Sequence, residues 1–407
     1  MKSKGPLEGV LVLDFGQIYN GPYCGLLLGF LGARVIKIEP PQGDILRRRH
    51  ADGEPYPYLW LNSNKESLVV DLKLEDGRNV VRRLAASADI VIENFNIGVM
   101  DRLGIGWSEL SRINPRLIFG AGKGFGLTGP KRNYSSMDLT IQAVSGAMSA
   151  TGFPDGPPVK AGPAISDFMG GVHLCVAILA ALHDRDRTGR GQLVEASMQE
   201  SVVMAMASAM GTHFDNLAGA PPAPPRTGNK HPGLAMAPYN VYEAADGYVA
   251  IFCVSEQHWR NLVETMDRRD LQEDSRLDTT VGRAQHMQVV DDAVAEWSRR
   301  HTKQEIADIL VAAGVPFAPV QTVAEVAEDP HLLARGMWQD VQHRTRGQLR
   351  LPCAPVRLHG TPERGIERIA PELGADTDAV LREIAGMDDA EIKVLRDSGA
   401  VDAKRRS

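Results

Sequence analysis

Cysteine is scarce in this sequence, and its spacing argues against two classes of protein. The 407 residues include four cysteines, at positions 24, 175, 253 and 353, and no two of them form a CxxC pair. Zinc modules and disulfide-rich secreted domains need closely spaced cysteines, so neither class is indicated. Free thiols fit a reducing compartment, and we therefore predict a cytoplasmic protein.

Long apolar runs and an excess of positive charge are also missing. The longest apolar stretches, residues 25–31 and 175–182, fall well short of the ~20 residues that cross a bilayer. The first ten residues contain no apolar core of signal-peptide length. The net charge of −6 argues against nucleic-acid binding. We expect neither a membrane nor a nucleic acid among the partners.

Several common catalytic motifs are not found. The chain has no Walker A loop, no HExxH, no GxSxG and no EF-hand loop. Gly16 and Gly21 follow the first strand-like run but do not form GxGxxG, so nicotinamide binding has little support. These motifs therefore do not indicate the function, and single candidate residues have to be considered instead.

The first part of the chain alternates strand-like and helix-like segments. Strand-like runs are found at residues 10–15, 34–39, 67–72, 89–95 and 117–121. Helical patterns between them include residues 75–86 and 107–113. This alternation predicts an α/β fold with a parallel sheet, whose sites gather at the carboxyl ends of the strands.

The pattern changes near residue 220, and two lobes are expected for a chain of this length. A proline-rich segment at 221–233 precedes a hairpin pattern and three helical patterns, at 257–266, 288–299 and 303–313. Strand-like segments return after Gly336, followed by helical patterns at 376–384 and 389–397. We predict a large domain over 1–220, a small domain over 221–335, and a C-terminal segment over 336–407.

Asp167 is the sharpest candidate for chemistry. It stands between a Gly/Pro-rich turn, GFPDGPP, and an apolar helical pattern over 168–182. One interpretation is a nucleophilic carboxylate whose ionised form the helix N-terminus favours. The other is that Asp167, or Ser166 before it, merely caps the helix, and position alone favours this because both are common caps. Gly170 and Gly171 are either packing devices or sources of N–H groups for a reacting acyl oxygen.

Other charged residues are ambiguous when taken singly. Arg102 and Lys73 could each meet a phosphate or simply be solvated. The run Arg47–Arg48–Arg49–His50 could hold an acidic substrate, although such runs are more often solvated faces. His173 lies inside the apolar pattern, which favours a satisfied core histidine over a catalytic base.

Several strings, in their order along the chain, resemble the class III CoA-transferases, also called the CaiB–BaiF family. They are PLEGVLVLDFG, GPYCGLLLGFLGARVIKIEPPQGD, NKESLVVDLK, DIVIENFNIGVMDRLGIGW, NPRLIFGAGKGFGLTGP, TGFPDGPPVKAGPAISDFMGGVHL, TGRGQLVEASM, the APYNVYEAADGYV region and VPFAPVQTVAEVAEDPHLLARGM. The resemblance extends from about residue 5 to the C-terminus. It favours the catalytic interpretation of Asp167 over the capping one.

The resemblance implies a fold and an assembly. The large Rossmann-like domain would be formed from both ends of the chain, with a small α+β domain inserted in the C-terminal half. Two subunits would be threaded through each other as an interlocked, ring-like homodimer. The return of the strands after Gly336 would then place the C-terminal segment back on the large domain.

The resemblance also implies the chemistry. Asp167 matches the family's catalytic aspartate, which attacks an acyl-CoA thioester to give a mixed anhydride and CoA thiolate. The thiolate then forms an aspartyl-CoA thioester, from which a free carboxylic acid takes the CoA. Covalent catalysis of this kind divides one difficult exchange into easier steps, each with an oxyanion that N–H groups can stabilise. Coenzyme A thioester is a substrate here, and no metal, redox group or permanently bound cofactor is expected.

The family's CoA-binding positions transfer to this sequence residue by residue. They correspond to Asp71, Leu72, Lys73, Asn94, Phe95 and Arg102, and Asp138 matches an acidic position near the catalytic aspartate. Arg102 would serve the nucleotide phosphates.

Two other functions remain open. The same fold hosts α-methylacyl-CoA racemases, which use a histidine base where this chain has Met137, in the segment Ser135–Ser136–Met137–Asp138. Methionine cannot abstract a proton, which favours transfer. The second alternative is a non-catalytic CoA-binding protein. The presence of Asp167, Asp138 and Arg102 argues against this alternative.

Among the family, these sequence segments are most similar to those of formyl-CoA:oxalate CoA-transferases. This chain differs from that pattern at two places. Those enzymes carry Lys-x-Tyr-Glu where this chain has SSMD, and their polyglycine loop has no counterpart beyond RTGNKHPG. We expect a small dicarboxylate or hydroxyacid as the acceptor, with Arg47 as a candidate clamp for its carboxylate.

Overall fold

The computed structural model describes residues 5–49, 54–219, 224–361 and 365–403. The described strands are β1 (Leu11–Asp14), β2 (Arg34–Glu39), β3 (Lys65–Val69), β4 (Ile90–Glu93), β5 (Ile118–Lys123), β6 (Leu193–Ser197), β7 (Tyr239–Ala244), β8 (Gly247–Phe252), β9 (Phe317–Pro319), β10 (Trp338–His343) and β11 (Gly347–Pro352).

The described helices follow in chain order. They are α1 (Asn20–Phe30), α2 (Tyr56–Leu61), α3 (Glu75–Ala85), α4 (Val99–Arg102), α5 (Trp107–Ile113), α6 (Asp138–Val144), α7 (Ala147–Ala150), α8 (Ile165–Thr188), α9 (Met198–Ala205), α10 (Ala207–Leu217), α11 (Glu256–Thr265), α12 (Arg269–Gln272), α13 (Thr280–Gln285), α14 (Met287–Ser298), α15 (Lys303–Ala313), α16 (Val323–Ala327), α17 (Pro330–Ala334), α18 (Thr377–Glu383) and α19 (Asp389–Asp397). Short 3₁₀ helices lie at Ile45–Arg48, Pro232–Leu234 and Ser275–Leu277.

The chain divides into two compact units. The large unit contains residues 1–145, 163–202 and 330–407, and the small unit contains 146–162 and 203–329. The predicted boundaries after 220 and 335 differ from this division, which falls at 202/203 and 329/330. The segment 146–162, which includes the GFPDGPP turn, also belongs to the small unit, and the strand and helix patterns gave no sign of this.

A six-stranded parallel sheet forms the centre of the large unit. Its strand order is β3-β2-β1-β4-β5-β6, and every neighbouring pair is parallel. This is the Rossmann order, with its switch point between β1 and β4. The prediction of an α/β fold with a parallel sheet is therefore confirmed.

Alternate residues of the sheet pack into two separate cores. Val12 and Ile92 point to the face covered by α1 and α8, where they meet Leu28 and Ile178. Leu13 and its neighbours point to the other face, which α3, α5, α18 and α19 cover. Because both faces are buried, the central strands β1, β4 and β5 consist mostly of apolar residues.

Helix α8 is longer than its predicted span of 168–182. The charged residues after Leu182 continue the helix to Thr188, and Gly189 ends it with φ 72°, a conformation that glycine adopts without strain. By length and composition α8 resembles a membrane-spanning helix, with a mean hydropathy of 1.8 in its most apolar window. It packs on α1, β5 and β6, however, and so has the position of a core helix of the large unit.

The C-terminal segment belongs to the large unit. The Asn64 amide nitrogen donates to the Arg368 carbonyl at 2.8 Å, and the Asp71 amide nitrogen donates to the Ala400 carbonyl at 2.8 Å. The Asp376 carboxylate accepts from the Ser67 amide nitrogen at 2.8 Å. These bonds attach the tail to both ends of β3.

The small unit has its own core, built from β7, β8, β9 and the helices α11, α12, α14 and α15. The segment RTGNKHPG is fixed within this unit. Arg226 donates to the Gly156 carbonyl at 2.8 Å, and Lys230 pairs with Asp291 of α14 at 3.0 Å. The predicted linker 221–233 is thus bonded along its described part, and residues 221–223 lie outside the described residues.

Candidate active site

The loops at the carboxyl ends of β1 and β4 are joined at the switch point of the sheet. The Asn94 side chain forms two hydrogen bonds with the Gln17 backbone, accepting from its N–H at 2.8 Å and donating to its carbonyl at 2.9 Å. Asn94 was predicted to bind CoA, and the structure shows its amide engaged in this clasp. These two bonds fix the loop that follows β1 at the carboxyl edge of the sheet.

A cavity of about 240 Å³ opens at this edge of the sheet, and Asp167 lines it. The other lining residues come from the ends of several strands and the segments after them: Gln17, Ile18, Asn20, Asn94, Phe95, Asn96, Gly122, Gly124, Ser136, Met137 and Met198. None of these described lining residues is a histidine. Met137, the residue in place of a racemase's base, thus lies beside Asp167 in the same cavity.

Asp167 does not cap its helix. The N-cap position of α8 is Ala164, and Asp167 is the third helical residue. The Ser166 N–H, which a cap would satisfy, donates to the Asp138 carboxylate at 2.8 Å. The capping interpretation of Ser166 and Asp167 was therefore wrong, because a residue from α6 performs that role. No hydrogen bond joins the Asp167 carboxylate to a described residue, and it is free to face the cavity.

The surroundings of Asp167 favour its neutral form. Burial, followed by the nearby negative charge of Asp138, raises the pKa of the Asp167 carboxyl to about 7, while Arg49 opposes this shift. The helix N-terminus was predicted to favour the ionised form, but burial and Asp138 both favour the neutral form. With a pKa of about 7, both forms of the carboxyl are populated near neutral pH.

Asp138 lies close enough to Asp167 for its charge to raise the pKa of that carboxyl, but it does not line the cavity. One of its oxygens accepts from Ser166, and the other accepts from the Gln142 side chain at 2.7 Å. The expectation that Asp138 lies near the catalytic aspartate agrees with this geometry. Its contacts give it a role in supporting the first turn of α8.

A second cavity, of about 360 Å³, adjoins the first and shares Gln17 and Phe95 with it. Its walls are largely apolar and come from Phe15, Gln17, Ile38, Glu39, Pro40, Gln42, Val70, Asp71, Leu72, Lys73, Phe95, Val99 and Leu103. Four of the predicted CoA-binding positions, Asp71, Leu72, Lys73 and Phe95, are thus brought together here.

Arg102 stands at the end of α4, between the cavity-lining residues Val99 and Leu103. Its side chain and that of Lys73 are exposed, and neither forms an ion pair with a described residue. Both cations are therefore available at the edge of the second cavity.

Buried charges hold Phe95 between the two cavities. The Lys123 ammonium donates to the Phe95 carbonyl at 2.6 Å and pairs with Glu93 at 2.6 Å. The Glu93 carboxylate in turn accepts from the Phe95 N–H at 2.8 Å. Burial raises the pKa of Glu93 despite this pairing.

Arg47 is not available as a clamp for a substrate. Its guanidinium is buried, pairs with both oxygens of Glu39 at 2.8 and 2.9 Å, and also contacts Glu54 and the Pro371 carbonyl. The hypothesis that Arg47 binds the acceptor was wrong, because these contacts use its donors in holding the fold. Arg49, two residues later, is exposed and close enough for its charge to act on Asp167.

His173 and Asn20 also differ from expectation. His173 was predicted to be a core residue, but it lies on the exposed side of α8, with Nδ1 2.8 Å from the Met169 carbonyl oxygen. Asn20 was not singled out at all, although it is 2% exposed and lines the Asp167 cavity. Its one sequence signal was a polar residue at the start of an otherwise apolar helix.

The large unit is thus a Rossmann-type protein with a pair of cavities at its switch point. The chain matches the model of CoA-transferase family III over residues 7–377. It is 34% identical to a formyl-CoA:oxalate CoA-transferase of Rhodopseudomonas palustris (strain BisA53), with 98% of each chain covered. It is also 34% identical to the succinyl-CoA–D-citramalate CoA-transferase of Chloroflexus aurantiacus, covering 96% of this chain and 97% of that one.

A solved structure of a CAIB/BAIF family protein from Brucella suis superposes with a TM-score of 0.82. The two are 32% identical, and the match covers 94% of this chain and 100% of that one. The chain belongs to CoA-transferase family III, and the resemblance noted in its sequence is confirmed.

Proposed function

We propose that this CoA-transferase moves CoA from an acyl-CoA donor to a small dicarboxylic acid through covalent intermediates on Asp167. The observation that carries the proposal is the position of Asp167. It is a carboxylate without a hydrogen-bond partner among the described residues, in the wall of a cavity that adjoins a second, larger one. A structural aspartate in a partly buried position would be expected to be paired or bonded.

The proposed reaction has four steps. The Asp167 carboxylate attacks the thioester carbonyl of the donor, and CoA leaves as a thiolate. The thiolate attacks the aspartyl carbonyl of the resulting anhydride, which releases the donor acid and leaves Asp167 as a CoA thioester. The acceptor carboxylate attacks this thioester and frees the thiolate again. Finally the thiolate attacks the acceptor's carbonyl in the second anhydride, giving the new acyl-CoA and the original carboxylate.

CoA would extend across the two cavities. Its nucleotide end would lie against the apolar walls of the second cavity, and its thioester would reach Asp167 in the first. The exposed cations of Lys73 and Arg102 stand where they could pair with phosphates, and charge-assisted bonds of this kind are strong. Gln17 and Phe95, which line both cavities, would contact the pantetheine arm.

The acceptor is proposed to be a dicarboxylate because of Arg49. Its exposed guanidinium acts electrostatically on Asp167 and is bound to no described side chain. One carboxylate of the acceptor would react at Asp167 while the other pairs with Arg49. The two relatives above are named for oxalate and D-citramalate, both of which are dicarboxylates.

The assembly is proposed to be the interlocked homodimer of the family, in the cytoplasm. Apolar side chains on two helices support an interface between subunits. Val172 and Val176 are exposed on α8, as are Phe214 and Leu217 on α10. Burial of such side chains in a partner would remove their contact with water.

The experiment that tests the proposal is a transfer assay with the wild-type enzyme and the Asp167→Ala variant. Formyl-CoA and succinyl-CoA would be offered with a panel of mono- and dicarboxylic acids, and the new acyl-CoA would be identified by mass spectrometry. We expect transfer to a dicarboxylate by the wild type and none by the variant. A variant with full activity would show that Asp167 is not the nucleophile.

The racemase alternative predicts a different result in the same assay. A racemase would exchange the α-proton of a branched acyl-CoA in deuterated water without any acceptor acid. Because no described residue lining the cavity is a histidine, we expect no such exchange. Robust exchange together with absent transfer would contradict the proposed reaction.

A further inference from the structure

Asn20 is a buried polar residue in the wall of the Asp167 cavity. It is the first residue of α1 and is 2% exposed. Its side-chain Nδ2 donates to the backbone carbonyl of Asp167 at 3.2 Å. This bond joins the first turn of α8, which carries Asp167, to the loop that follows β1.

Three glycines make room for Asn20 at close range. A Cβ on Gly122 would lie 2.2 Å from Asn20 Oδ1, and a Cβ on Gly170 would lie 2.3 Å from Asn20 Nδ2. A Cβ on Gly171 would lie 2.7 Å from the Asn20 carbonyl oxygen. Real Cβ atoms do not approach other atoms so closely, so the amide of Asn20 is fixed between β5 and α8. Gly170 and Gly171 therefore act here as packing devices, one of the two roles considered for them.

The other half of the amide, Asn20 Oδ1, is buried and accepts no hydrogen bond from a described residue. An unsatisfied buried acceptor costs stability, and a smaller apolar residue at this position would avoid that cost. A requirement for the fold alone does not explain an amide here. The one hydrogen bond that the amide forms with a described residue leads to Asp167, which carries the proposed reacting carboxylate.

We propose that Asn20 is a positioning residue, which holds the first turn of α8 so that the Asp167 carboxylate faces the reacting thioester. The inference rests on the proposed role of Asp167. Asn20 acts through the Asp167 backbone and forms no bond to a reacting atom. A misplaced reacting group slows a covalent step while leaving distant substrate contacts intact.

The test is the steady-state kinetics of the Asn20→Ala variant. We expect kcat to fall by at least about 10-fold and by up to about 100-fold, the loss that a misplacement of about 1 Å can cause. The KM for the acyl-CoA donor should change by less than about twofold, because its contacts lie elsewhere in the two cavities. A kcat within twofold of the wild type would overturn the proposal.

A matched control separates positioning from general damage to the fold. Asn62 is also fully buried, and its amide donates to the Tyr58 carbonyl at 3.0 Å, away from the Asp167 cavity. The Asn62→Ala variant should lower the melting temperature without lowering kcat at a temperature where it is folded. An equal loss of kcat in both variants would count against a specific role for Asn20.

A double-mutant cycle with Gly122 gives an independent readout. The added methyl of Gly122→Ala would collide with the Asn20 amide, so this variant should lose kcat as Asn20→Ala does. In the double variant the collision is removed, and its kcat should equal that of Asn20→Ala. Independent, multiplicative losses would contradict the packing on which the inference depends.

The outcome also separates this inference from the proposed function. If Asp167→Ala abolishes transfer and Asn20→Ala does not slow it, the positioning role fails while the nucleophile stands. If Asp167→Ala retains transfer, both fail, because Asn20 is proposed to act only through Asp167.

Discussion

Asp167 combines accessibility to a cavity with an environment that raises the pKa of its carboxyl to about 7. A raised pKa makes a carboxylate a better nucleophile when it is ionised, and it keeps a substantial neutral fraction at neutral pH. The proposed attack by Asp167 needs the ionised form, so the transfer rate should fall as the pH drops below about 7.

Replacing Asp138 tests the cause of this shift. The Asp138→Asn variant retains an oxygen that can accept from Ser166 but removes a negative charge beside Asp167. The pKa of Asp167 should move down, and the acid limb of the kcat–pH profile should move to lower pH. Arg49→Ala should move the limb in the opposite direction, because it removes the positive charge that lowers the pKa. Unmoved profiles would show that neither charge acts on the nucleophile.

Arg48 and Arg49 allow a matched test of the proposed acceptor site, because one would bind the acceptor and the other would not. Arg48 and Arg49 are adjacent and both exposed, but of the two only Arg49 lowers the pKa of Asp167. Arg49→Ala should raise the KM for a dicarboxylate about tenfold or more, as expected when a charged hydrogen bond is lost. Arg48→Ala should leave that KM within about twofold. Equal effects of the two variants would remove the proposed clamp.

At the scale of elements, the sheet edge depends on the clasp between Asn94 and the backbone of Gln17. Asn94→Ala removes both bonds and frees the loop after β1, at a cost of about 1–3 kcal/mol in unfolding free energy. The KM for acyl-CoA should rise as well, because Gln17 lines both cavities. Chemical denaturation and initial-rate kinetics would measure the two effects.

Asn114 provides the control for this prediction. Its side chain donates to the carbonyls of Ala85 and Ala88 at 3.0 and 2.7 Å, near the opposite end of the sheet from the cavities. Asn114→Ala should lose a similar unfolding free energy with an unchanged KM. A raised KM in this variant would mean that the Asn94 effect reports general loosening of the unit.

Which elements could be predicted depended on the range of the interactions that form them. The strand at Arg34–Glu39 and the helices at Trp107–Ile113 and Lys303–Ala313 have the predicted bounds, because local apolar periodicity determines them. Helix α8 was predicted too short because its last turns are mostly charged, and the pairing of the buried Arg185 with Asp89 is not visible in the local pattern. The support that Asp138 gives to the first turn of α8 could not be recognised, because Asp138 lies 28 positions before Ser166 in the sequence.

Whether the role of a site residue could be predicted also depended on how far apart in the sequence its partners lie. Asp71, Leu72, Lys73 and Phe95 line one cavity, and their contact with CoA stays a prediction from the family resemblance. The role of Arg47 was wrong because its partner Glu39 lies on β2, and no local pattern shows that a run of arginines has one member buried. Asn20 was missed for a similar reason, since its bond to Asp167 spans 147 positions of the sequence.

At the scale of the whole molecule, the proposed homodimer makes a prediction about mass. Light scattering coupled to size exclusion should give twice the 44.2 kDa of one chain, and dilution to low micromolar concentration should not reduce it. An interlocked pair cannot separate without unfolding, so urea should dissociate and unfold it in one transition. A monomeric mass, or dissociation ahead of unfolding, would contradict the interlocked arrangement.

The central claim is that CoA becomes covalently attached to Asp167 during turnover, and mass spectrometry of the enzyme tests it most directly. The wild-type enzyme would be mixed with an acyl-CoA donor without acceptor, trapped with hydroxylamine, digested and sequenced. We predict a hydroxamate on the peptide that carries Asp167, and none from Asp167→Asn, whose transfer rate should fall on the order of 10³-fold or more. A modified peptide elsewhere in the chain, or active enzyme with Asp167 unmodified, would contradict the account.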